Sequence, residues 1–260
     1  MTSPLSTAED DVGGVRLARH SRWAELLFQI RVAANRIRRG IADSMAGLDR
    51  CEAMHDGPYA MVVGESRSKL WSDDRRAEAA YQKGKVHNVR TAIRELDCAV
   101  LLPGQTFSFW KQIGRATEER GYVVGRMLQQ GCMIPAVGGG LCQLSNALYD
   151  AALQSGCEIV ERHAHSRAVP GSAAAAGRDA TVAWNYVDLR FRSRVPLMIR
   201  ARATESELVV AFCAFPGTVV RREDESSESA NASALLVVPT RRPAATCATC
   251  AETACFRHEY

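Results

Sequence analysis

The sequence predicts an α+β domain, and three observations carry that prediction. Apolar residues recur at helical spacing through the first part of the chain. Three consecutive glycines, Gly138, Gly139 and Gly140, lead into a strongly periodic central helix that carries the motif GGGLCQ. Strand-like runs then fill the stretch from residue 157 to residue 215. Helices first and strands later point to a mostly antiparallel sheet rather than a wound parallel one. The 260 residues, 47% of them hydrophobic and 24% charged, suffice for one large domain or one domain with a small appendage.

Residues 1–19 read as a disordered N-terminus. Residues 15–50 read as helical and basic, with eight arginines against Glu25, Asp43 and Asp49. Leu17, Trp23, Leu26, Leu27, Ile30, Ala33, Ala34 and Ile37 recur at the spacing of a helix face. Two readings fit. In one, the apolar stripe packs on the core and the arginines face water. In the other, the basic helix docks on an anionic surface, a membrane or nucleic acid. The net charge of +4 is too mild to mark nucleic-acid binding, and none is expected.

VHNVRTAIRELDCAVLL, residues 86–102, reads as a second helix. Pro103-Gly104 makes a turn, and TFSFW, 106–110, alternates like a strand. After the glycines, Gln143 to Ser155 reads as a helix closed by Gly156. The strand-like runs are CEIVERH (157–163), ATVAWNYVDLRF (180–191) and the pair PLMIRAR (196–202) and ELVVAFCAF (207–215), with TESE as a hairpin connection. The domain is expected to span 20–216. Residues 217–246, polar and carrying two prolines, read as a linker, and 247–260 as a Cys/His tail.

The start of the middle helix is where chemistry is expected. Leu141, Leu144, Leu148 and Ala151 form one stripe, and Cys142, Ser145, Asn146 and Tyr149 form a second, polar one. Cys142 therefore sits in the first turn, looking away from the leucines. Unpaired N–H groups and the positive dipole end there favour a thiolate. The glycine N–H groups of 138–140 are candidate oxyanion donors. The bland alternative is a small buried cysteine after a tight turn. RHAHSR, 162–167, supplies His163 and His165, and Asp179 stands at the entry to the next strand-like run. The order Cys142, His165, Asp179 fits a nucleophile, its base and an orienting carboxylate. Gln143, Ser166, Arg167 and Arg178 are candidate substrate contacts, the arginines as partners for a carboxylate. Trp184 reads as core, and Asn88 and Ser108 as caps or turn formers.

CATCAETACFRH holds Cys247, Cys250, Cys255 and His258 at the spacing C-x2-C-x4-C-x2-H. Four soft ligands so close suit tetrahedral zinc, with an iron–sulfur cluster as the alternative and a thiol-bearing tail without metal as the bland reading. Cys51, Cys98, Cys132, Cys157 and Cys213 read as buried or incidental. Acids precede the first arginine, Arg16, so no secretion signal is recognised, and no apolar run approaches the ~18–20 residues of a membrane span. With nine cysteines, an odd number, this leads to an expected cytoplasmic location.

The blocks NVRTAIRELD…LLPGQTFSFW, GGGLCQLSNALYDAAL, IVERHAHS and GRDATVAWNYVDLRF together resemble the VanW family, which is associated with B-type vancomycin resistance. The resemblance covers roughly residues 25–212, with four separated blocks in the family's order. Some proteins with this domain are associated with L,D-transpeptidation of peptidoglycan through the cysteine of the glycine block. The resemblance therefore implies Cys142 as that cysteine and His165 as the histidine of the HxHS block. It implies a cysteine-dependent acyl transferase or peptidase acting on cell-wall peptide or its precursors. The alternative is a non-catalytic binding or scaffold protein of the same fold with a metal-binding tail.

Overall fold

The computed structural model describes residues 22–55, 57–71, 79–129, 132–164 and 176–219. The elements run α1 (Arg22–Met45), β1 (Glu52–Ala53), β2 (Met61–Lys69), α2 (Ala79–Ile93), β3 (Ala99–Leu101), β4 (Thr106–Ser108), α3 (Phe109–Ile113), β5 (Val124–Gln129), β6 (Cys132–Val137), α4 (Cys142–Gln154), β7 (Glu158–Glu161), β8 (Arg190–Arg192), β9 (Leu197–Ala203) and β10 (Glu207–Ala214). The architecture is α+β, and every strand pair is antiparallel.

A five-stranded sheet in the order β1-β3-β9-β10-β2 forms one wall. One of its faces supplies Leu197, Ile199, Ala201, Leu208, Val210 and Phe212 to the main core; the other carries the small cluster Val100, Met198 and Cys213 under Tyr59. Helix α4 lies along β2. The side-chain amide of Gln154 brackets Glu65, accepting from its N–H and donating to its carbonyl. A three-stranded sheet, β4-β8-β7, and the hairpin β5-β6 complete the fold.

The expected hairpin over TESE is present: Thr204 N–H donates to the Glu207 carbonyl at 2.8 Å between β9 and β10. Four expectations change. Strands are interspersed among helices, because β1 and β2 precede α2. The helix expected over 86–102 ends at Ile93, and Ala99–Leu101 extends to pair with β9. The strand expected over 106–110 stops at Ser108, whose hydroxyl accepts from Lys111 N–H and caps α3. The strand expected over 180–191 shrinks to Arg190–Arg192. Asn185 turns at φ 54°, and the Asp188 carboxylate, buried between Ser108 and Arg190, ends regular pairing there. Helix α1 also departs from the packed-stripe reading. Its protein-facing side is mostly polar, with Val32 buried among charged groups: Arg36 donates to the Trp184 carbonyl, Arg39 forks onto Glu161, and Asp43 pairs with Arg190. Leu26, Leu27, Ile30 and Ile37 are exposed.

Candidate functional site

Helix α4 carries the two stripes expected of it. Leu141, Leu144, Leu148 and Ala151 are buried. The opposite stripe grips one extended segment, residues 179–182. Cys142 Sγ lies 3.7 Å from the Val182 carbonyl oxygen, Ser145 Oγ donates to the Ala180 carbonyl at 2.6 Å, and Asn146 Oδ1 accepts from Ala180 N–H at 2.7 Å. Tyr149 lies beneath the Arg162 guanidinium, 5.0 Å from its ring centre. The polar face expected from spacing is thus largely a docking face for the chain around Asp179.

Of the five cysteines whose burial is described, four are buried and Cys142 is partly exposed. Burial pushes the Cys51 and Cys157 thiols up to about 12, which keeps them protonated and inert. Cys142 opens its helix without a side-chain cap, and the Gln143 and Leu144 N–H groups turn back to the Gly140 and Leu141 carbonyls, so the donors that can serve another acceptor lie at Cys142 and just before it.

The glycines before it are held from two sides. Gly138 and Gly140 sit at φ 75° and 102°, backbone that other residues adopt only with strain. Gly139 packs on β5: a Cβ there would stand 2.5 Å from the Gly125 carbonyl carbon and 2.7 Å from Arg126 N. Asn88, buried on α2, donates to the carbonyls of Val123 and Gly139 and accepts from Val123 N–H. The Gly138 and Gly139 N–H groups are themselves spent on the carbonyls of Val123 and Ala136. Candidate oxyanion donors therefore move along the chain to Gly140, Leu141 and Cys142.

Lys85 was not singled out in the sequence, where a helical lysine reads as solvated. It is buried, its stem lies against Gly140, and burial, reinforced by the nearby Arg126 charge, pulls its ammonium down to about 8. One signal was available: Gly84, beside it, marks a close approach, and a Cβ there would run into the Val124 carbonyl oxygen.

Asp179 is buried, and its Oδ1 takes a 2.8 Å bond from Arg162. Arg178 reaches Asp150 Oδ1 at 3.3 Å. The Gln143 side-chain nitrogen donates to Ser68 Oγ and the Lys69 carbonyl, tying the start of α4 to β2. His163 follows β7, and its carbonyl accepts from Thr181 N–H at 2.7 Å, so this histidine segment meets 179–182 beside Cys142. The His163 ring contacts Glu161 at 3.1 Å. Burial opposes charge on Glu161, but hydrogen bonds from His163 and Arg39 outweigh it and hold the carboxyl at about 2. Trp184 packs against the core edge-on to Trp110.

His165, Ser166 and Arg167 lie outside the described residues, as do Cys247, Cys250, Cys255 and His258, residues 1–21 and the linker beyond residue 219. Among the described residues no group of three His, Cys, Asp or Glu side chains could hold a metal ion.

A family model described as "VanW like protein" matches residues 84–213, half of the chain. The chain is 35% identical over 132 residues to an uncharacterized protein, YoaR, of Bacillus subtilis (strain 168), covering 50% of this chain and 43% of that one. It is 31% identical over 147 residues to the vancomycin B-type resistance protein VanW of Enterococcus faecalis (strain ATCC 700802 / V583), covering 52% of this chain and 54% of that one. The chain thus spans about half the length of the curated relatives it matches. No solved structure matches it.

Proposed function

Because the chain belongs to the VanW family, we propose that it is a cysteine acyltransferase acting on cell-wall peptides or their precursors, with Cys142 as nucleophile. One observation carries this reading. The partly exposed thiol stands in the first turn of α4, directly after the Gly138–Gly140 turn, where segment 179–182 and the end of the histidine strand converge.

The sulfur attacks a peptide carbonyl, forming a carbon–sulfur bond. Developing oxyanion charge is met by N–H groups of the Gly140–Cys142 turn, a fixed array that needs no reorganisation. The carbon–nitrogen bond then breaks, and the leaving amine takes the proton that the thiol gave to its base, for which His165 is the candidate. An acceptor amine, or water, then attacks the thioester, gives a proton to the base, and releases the thiolate as the carbon–sulfur bond breaks. The name of the Enterococcus relative supports a cell-wall setting.

A non-catalytic binding role is the second reading. Its support is that Ser145, Asn146 and Asp179 are all engaged inside the protein. Incubating the full-length chain with muropeptide donors and a diamino acid acceptor, followed by mass spectrometry, separates the two. Acyltransfer or hydrolysis products that disappear in Cys142→Ala are expected. Identical product profiles with and without the protein, across tetrapeptide and pentapeptide donors, would overturn the catalytic reading.

A further inference from the structure

Helix α1 is amphipathic in the opposite sense to a helix packed on a core. Its charged side faces the protein through Arg36, Arg39 and Asp43, with Val32 the one buried apolar residue described among them. Its apolar side faces outward: Trp23, Leu27, Ile30, Ile37, Ile41 and Met45 follow one another at steps of three, four or seven residues, with Leu26 beside them. Trp23 is 76%, Ile37 66% and Met45 84% exposed. At 24 residues the helix is about 36 Å long, so this is one continuous apolar stripe rather than scattered exposed residues.

Charge identifies what covers it. By helical register, Arg31 and Arg38, both exposed, stand along one border of the stripe. Asp43, an acid of the same helix, turns inward to Arg190 and away from the stripe. A stripe of tryptophan and branched aliphatics bordered by arginines matches the boundary of an anionic bilayer, with the apolar groups among acyl chains and the guanidinium groups among phosphates. A second copy of the chain would bring like charges together along that border. No described helix is long and apolar enough to cross a membrane, so the geometry fits lying on the surface.

We propose that α1 is an in-plane docking helix that seats the protein on an anionic lipid surface. The proposal is independent of the chemistry at Cys142. The contacts of α1 carry it close to that site: Arg36 holds the Trp184 carbonyl, two residues beyond the Val182 carbonyl that faces the thiol.

The test is flotation of the full-length protein with vesicles of phosphatidylcholine and phosphatidylglycerol, and with pure phosphatidylcholine vesicles. Co-flotation with the anionic vesicles is expected, falling about fivefold for each of Arg31→Gln and Arg38→Gln and more than tenfold for Ile30→Glu/Ile37→Glu. These side chains are exposed, so the variants keep the wild-type far-ultraviolet circular dichroism and unfolding midpoint. Sedimentation velocity without lipid should show a monomer. Absence of binding to anionic vesicles, binding indifferent to these variants, or a concentration-dependent dimer that Ile30→Glu/Ile37→Glu dissolves would overturn the proposal.

Discussion

The side-chain nitrogen of Asn88 donates to the Gly139 carbonyl at 3.0 Å, and through that bond α2 holds the turn that delivers Cys142. The same side chain pairs with both the N–H and the carbonyl of Val123. Asn88→Ala leaves these buried backbone groups without their partner. A loss of about 3 kcal/mol is expected in chemical denaturation, together with loss of any acyl transfer.

Gly139→Ala tests the same turn by crowding. The atoms its Cβ meets belong to the backbone of Gly125 and Arg126, which cannot swing aside as a flexible side chain would. The expected cost is about 1–3 kcal/mol. Gly140→Ala combines a strained φ with contact on the Lys85 stem, and unfolding experiments on the two variants show whether turn and hairpin move as one unit.

The half-buried Arg162 and the buried Asp179 form a pair whose members do separable work. Arg162→Met removes the guanidinium from a buried carboxylate and should cost about 3 kcal/mol. Asp179→Asn keeps an acceptor for Arg162 and should cost less. If Asp179 also orients the catalytic base, turnover in Asp179→Asn falls by about two orders of magnitude while the unfolding midpoint barely moves. Retained turnover would confine Asp179 to a structural role.

Lys85 makes stability depend on alkaline pH. Its ammonium is held at about 8 in the folded chain against 10.5 when free. Between those values the unfolded chain binds the extra proton, so stability rises with pH across that window, and the burial penalty is fully present below about 8. Cys51 and Cys157, shifted upward from 9.0, act in the opposite sense above that value. Lys85→Met isolates the lysine contribution. The wild type should gain up to about 3 kcal/mol on this variant as pH rises from neutral to above the free lysine value. A pH-independent difference would show that the amine titrates normally.

The stripes of α4 were legible because one helix period sorts them: Leu141, Leu144, Leu148 and Ala151 inward, Cys142, Ser145, Asn146 and Tyr149 opposite. What covers the second stripe was not. Residues 180–191 read like a strand, yet Ser145 and Asn146 hold Ala180 through its backbone, which side-chain pattern does not encode. The inverted α1 was illegible for a related reason. Arginines face inward only because Glu161 and carbonyls such as that of Trp184, more than 100 residues away in sequence, receive them. The hairpin β5-β6 was missed because its second strand carries Pro135, which argues against a strand on local grounds.

Intact-protein mass spectrometry reads a nucleophilic Cys142 as a covalent mass shift. The full-length chain is mixed with an activated ester of a cell-wall stem peptide at neutral pH and quenched early. The prediction is one acyl group per chain, mapped to Cys142, removed by hydroxylamine, and absent from Cys142→Ala with the fold intact. An unmodified Cys142, or the same labelling of Cys142→Ala at other thiols, would contradict it.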